Sequence, residues 1–264
     1  MRTRLVRARR KPKGVLWALI FLMISMAFYI RVSLPALEGM RVGERLPAQP
    51  GERVTKEVRI APVEIFLVSF GGYDVMNSAK VEAARYVSRG AAGYILKRDR
   101  LYVIGAGYPE REDAEKACVF LAAQEGLACA VMEAVSGEVV MRMTAGEKQI
   151  EAFVEAESAL RRCAEVLGKL AFSVDSGAAT LQQAQAVVGT ELAKIQAAKE
   201  TLDAQTGRND NEIFAGVSSL LAEMERQMEE MLKEKKAMGI SARLKYAYAD
   251  CAVREAEMMN ALGR

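Results

Sequence analysis

The chain has 264 residues, 51% of them hydrophobic and 27% charged, with four cysteines and no histidine. That size holds one large domain or two small ones, and a mean hydropathy of +0.02 excludes both a disordered chain and a polytopic membrane protein. The missing histidine excludes Ser-His-Asp and Cys-His nucleophilic chemistry, His-ligated zinc and a histidine pH switch.

Residues 1–13 carry seven basic groups, from Arg2 to Lys13, and no acidic one. Taking those seven from the total of 37 leaves 30 basic against 34 acidic groups in residues 14–264, a net of −4. The protein is a basic tail on a mildly acidic body, which offers phosphates no basic face and predicts no nucleic-acid partner. Gly14 to Ile30 follows without a charge. At 1.5 Å per residue it spans roughly 25 Å, the short end of a bilayer crossing. Trp17 and Tyr29 suit the two interfaces, and Arg31 closes the segment. The charge asymmetry predicts a single-pass helix at 14–31, with the N-terminus cytoplasmic and the body outside. Ser25-Met26-Ala27 offers a signal-peptidase site, but Phe28, Tyr29 and Ile30 continue the apolar run, which favours an uncleaved anchor.

From residue 32 to 62 four prolines and three glycines interrupt every period, and the segment reads as a linker. The body opens at Val63 with an internal repeat. A shift of 35 residues lays Val68-Ser-Phe-Gly-Gly-Tyr73 over Val103-Ile-Gly-Ala-Gly-Tyr108 and Ala79 over Ala114. Each copy reads as an apolar strand, a glycine turn closed by an aromatic, and an amphipathic helix. Glu64–Phe70 and Leu101–Gly105 are the strands. Asn77 caps the first helix, which carries the stripe Ala79, Ala83, Tyr86 and Val87 and ends at Gly90. Ala114, Ala117, Cys118 and Leu121 mark the second, ending at Gly126. With partner strands at Tyr94–Lys97 and Ala128–Met132, the order βαββαβ predicts a ferredoxin-like antiparallel sheet with both helices on one face. The other face, carrying Leu67, Ser69, Tyr102 and Ile104, is expected to be free for binding.

The duplicated Val-x-x-Gly-x-aromatic pattern with an alanine six residues on resembles the SPOR (sporulation-related repeat) domain over residues 63–134. That family binds peptidoglycan, on glycan strands stripped of stem peptides, and typically follows a single membrane anchor and a linker. Ser69 stands where the family usually has glutamine, and Ala106 where its second glycine falls. The resemblance implies glycan contacts at Ser69, Tyr73, Tyr102 and Tyr108, with Tyr102 stacking on a pyranose ring. It also implies loss of glycan binding in a Tyr102→Ala variant.

Residues 145–264 contain no proline and read as four helices in an antiparallel bundle or paired hairpins. Phe153 to Val174 line the first. Thr180 caps the second, which ends near Gly207. Asn211 caps a third with the heptad Val217, Leu221, Met224, Met228, Met231, Lys235 and Met238, broken by Gly239. Leu244, Tyr248, Cys251, Met258 and Leu262 line the fourth. The methionine stripe reads as core, with this region recruiting a protein partner or self-associating. Cys118, Cys129, Cys163 and Cys251 lack a CxxC pair and read as free thiols, Cys118–Cys129 being the only pair local enough for a disulfide. No metal, cofactor or catalytic constellation is expected, and only a buried carboxylate pair in a cleft would point to an enzyme. Two functions follow: a membrane-anchored peptidoglycan binder of the cell-wall, division or sporulation machinery, or an envelope assembly protein that binds no glycan.

Overall fold

The computed structural model describes residues 53–207 and 211–263. The predicted basic tail, the membrane helix at 14–31 and the linker as far as residue 52 lie outside the described residues. Among the described residues no helix is long and apolar enough to cross a membrane. Those residues form an α+β structure. Its elements are β1 (Arg53–Ile60), β2 (Glu64–Tyr73), α1 (Met76–Val87), β3 (Tyr94–Lys97), β4 (Leu101–Tyr108), α2 (Arg111–Glu125), β5 (Ala130–Val135), β6 (Val139–Gly146), α3 (Glu147–Asp175), α4 (Leu181–Thr206), α5 (Glu212–Leu232) and α6 (Ala237–Leu262).

Strands β2 to β5 form one antiparallel sheet in the order β3-β4-β2-β5, the βαββαβ arrangement expected from the repeat. Phe66 and Val68 pack on Ala114 of α2, and Val103 packs on Ala79, Ala83 and Tyr86 of α1, so both helices share one face. The repeated glycines are not turns. Gly71, Gly72, Gly105 and Gly107 all lie within β2 and β4, where the pairing shifts register between Val68 and Gly72. A Cβ at Gly105 would lie 2.1 Å from the Phe70 ring, and one at Gly107 would lie 2.6 Å from Ile65. The repeat therefore preserves close approach across the bulged strand pair. Gly105→Ala is expected to cost ~1–3 kcal/mol through overpacking, read as a lowered denaturation midpoint with an unchanged slope.

The four helices α3 to α6 pack in sequence, and α6 closes back on α3. Thr180 Oγ1 accepts the Gln183 amide N–H and Asn211 Oδ1 that of Ile213, the two caps expected. Asn77 instead lies inside α1, which starts after Val75 without a side-chain cap. Helix α5 ends at Leu232, so Lys235 and Met238 fall outside its stripe and Gly239 sits in the first turn of α6. Met224, Met228 and Met231 are buried core residues. All four cysteines are free thiols, with Cys163 and Cys251 buried.

Two further features depart from the sequence reading. Residues 53–60, taken as linker, are β1, which pairs with β6 from Arg53↔Gly146 to Ile60↔Val139. Val58, Ile60, Val139 and Met143 join the core of the helical bundle. The inward positions of β1 alternate as Val54, Lys56, Val58 and Ile60, and the lysine, 2.6 Å from Glu147, masks the period-two signal. The second departure concerns the sheet face expected to be free. It is covered by α6: Ile65, Leu67, Leu96 and Ile104 form one buried cluster with Ala249, Ala252, Val253 and Ala256. Asn260 Nδ2 donates to the Val135 carbonyl and Lys245 Nζ to that of Gly90, tying α6 to the sheet domain at two further points.

Candidate functional site

The strand register separates the four residues implicated by the resemblance. Ser69 opposes Ile104 and Tyr102 opposes Gly72, placing both on the face under α6. Ser69 is 2% exposed. Tyr102 is partly buried there, and its hydroxyl donates to Asp99 at 3.2 Å. Tyr73 and Tyr108 point to the opposite face, Tyr73 against the α1 cluster and Tyr108 against the α2 cluster. No single surface brings the four together.

Tyr108, however, borders a cleft of about 570 Å³ between the end of β4, the start of β2, α3 and α6. Three aromatic rings converge on it from separate segments. Tyr108 and Phe172 of α3 have ring centroids 5.2 Å apart at a tilt of 37°. Tyr248 of α6 lies against Gly168, where a Cβ would come within 3.2 Å of the ring. The absence of a side chain at Gly168 is what seats Tyr248 beside the cleft. Burial raises the Tyr108 phenol above its ordinary value and pushes that of Tyr248 up to about 12, so both hydroxyls stay protonated donors at neutral pH.

The polar part of the cleft is built on Arg161. Its Nε donates to Glu157 Oε1 at 2.6 Å, its Nη1 to the Pro62 carbonyl at 3.0 Å and its Nη2 to that of Ala61 at 2.6 Å. Arg161 thereby fastens the β1–β2 connection to α3. Glu255 of α6, 3% exposed, lies 2.7 Å from Nη2, yet no donor is directed at its Oε1. The guanidinium supplies charge while spending its hydrogen bonds on the two carbonyls and Glu157. Burial pushes the Glu255 carboxyl up to about 7, against the pull of Arg161 and with help from the Glu157 charge. Buried Asp250, by contrast, accepts from Gln227 Nε2 and Arg254 Nε, both at 2.7 Å. Around the rim, Asp113 pairs with Lys116 at 3.1 Å and Glu165 with Lys169 at 4.0 Å.

Glu157 and Glu255 come nearest to the carboxylate pair that would point to an enzyme. Both contact the same arginine, forming a partly buried charge cluster. Among the described residues no group of histidine, cysteine or carboxylate side chains is placed to hold a metal ion. The cleft was not legible in the sequence because its walls come from residues 62–64, 108–113, 161–172 and 248–255. No family model matches the chain, and no curated protein or solved structure is similar to it.

Proposed function

We propose that this is a non-catalytic binding protein of the bacterial envelope, held at the membrane by residues 14–31, that engages peptidoglycan glycan strands in a cell-wall, division or sporulation context. The observation that supports a saccharide ligand is the cleft. Pyranose rings present flat C–H faces that stack on aromatic rings and hydroxyls that need buried polar partners, and Tyr108, Phe172 and Tyr248 flank a floor carrying Glu255. This reading moves glycan contact away from the sheet, whose face α6 occupies, and keeps Tyr108 alone of the four residues first implicated.

Full-length protein in detergent micelles is expected to pellet with purified sacculi, and more strongly after an amidase has removed the stem peptides. Failure to pellet with either form would end the glycan reading. A second reading is favoured by α6 itself: a βαββαβ sheet whose open face already holds protein suits an envelope assembly protein. It predicts no pelleting, together with self-association or partner capture through residues 145–264.

A further inference from the structure

We infer that the cleft takes a saccharide bearing a free amino group, its ring between Tyr108, Phe172 and Tyr248 and its ammonium group at Glu255. This rests on the glycan reading and narrows it to strand residues that have lost their N-acetyl group. Glu255 Oε1 is buried beside the cleft without a directed hydrogen bond, although the other fully buried carboxylate of the same helix, Asp250, has two. A buried acceptor left without a donor costs free energy, and a ligand that supplies the donor recovers it. Arg161 Nη2 lies 2.7 Å from Oε1, but the guanidinium is held by Ala61, Pro62 and Glu157 in an orientation that aims no N–H at it. An ammonium group brings three donors and a charge of the right sign. An N-acetyl group brings one neutral N–H and a carbonyl oxygen that a carboxylate repels.

The aromatic walls agree with this choice, since a cation beside the faces of Tyr and Phe rings is attracted by their quadrupoles. Glu165 at the rim adds negative charge that Lys169, at 4.0 Å, only partly offsets. Charge and aromatic surface together select an amino sugar over a neutral one, and a ring over a flexible amine.

Calorimetric titration of the full chain in detergent micelles separates the possibilities with three probes: the β-1,4 tetramer of glucosamine, the tetramer of N-acetylglucosamine, and trilysine. The glucosamine tetramer is expected to bind about tenfold more tightly than the acetylated one, the factor appropriate to one charged hydrogen bond. Glu255→Gln should remove that preference in a chain that still folds, its melting transition at or above the parent's at neutral pH. Equal affinity for the two tetramers would overturn the amino-group inference and leave the glycan reading standing. Binding of neither tetramer would overturn the inference, and the pelleting with sacculi would then decide the glycan reading by itself. Trilysine binding as tightly as the glucosamine tetramer would show that charge alone is read, which also overturns the inference.

Discussion

Replacing Ala249 with aspartate will cost ~4 kcal/mol or more and bring the folded body close to its stability limit. Ala249 is 0% exposed at the seam between α6 and the sheet, where Leu67, Ile104 and Val253 leave a carboxylate neither solvent nor partner. An unpaired charge buried in such a place is among the few single changes that exceed ordinary mutational effects. Typical domain stabilities are only ~5–15 kcal/mol, so a large part of the total is lost. Because α6 belongs to the bundle core as well, through Leu244, Ala247, Cys251 and Met259, the damage should not stay local. Denaturant melts followed by amide exchange should show β2 and β4 losing protection together with α3. Loss of protection in the sheet alone would mean that the bundle is stable without its contact to the sheet.

Glu255 carries the second large effect, and its direction runs opposite to ordinary acid denaturation. Its carboxyl titrates near 7 in the folded protein against 4.5 for an unperturbed glutamate. Between those values the folded chain holds a proton that the unfolded chain has released, so stability falls as pH rises. The contribution is fully present below pH 4.5 and gone above pH 7, a difference of ~3 kcal/mol. Glu255→Gln, which cannot ionise, should be more stable than the parent at pH 8 and equal to it near pH 4. Parallel stability profiles for the two proteins would show that Glu255 titrates in the fold as it does in the unfolded chain.

Both effects arise at α6, and α6 is where the sequence was only half readable. Leu244, Tyr248, Cys251, Met258 and Leu262 mark one apolar stripe, and those residues do line or adjoin the bundle core. A second stripe, Ala249, Ala252, Val253 and Ala256, also recurs at spacings of three and four. Alanines are good helix formers whatever they face, so they signal propensity more strongly than burial. The complementary hint lay in the sheet, whose supposedly free face offers Ile65, Leu67 and Ile104, too apolar to meet water without a cover. The βαββαβ order was legible because the repeat writes it twice. The bundle helices were legible because Thr180 and Asn211 announce their starts. The ribbon of β1 and β6 was hidden by distance, since its strands pair across 79 to 93 residues and neither is apolar enough to stand out alone. The cleft was hidden for a related reason. Only the packing of α6 against both layers brings Tyr248 and Glu255 to Tyr108.

The proposed glycan contact at the cleft is tested most directly by pelleting two variants with amidase-treated sacculi, each checked for an unchanged melting transition. Tyr102 lies under α6 and Tyr248 borders the cleft. Tyr102→Ala should pellet like the parent, and Tyr248→Ala should stay in the supernatant. Retention of Tyr248→Ala on the sacculi, with loss of Tyr102→Ala, would place the ligand on the sheet and contradict the cleft.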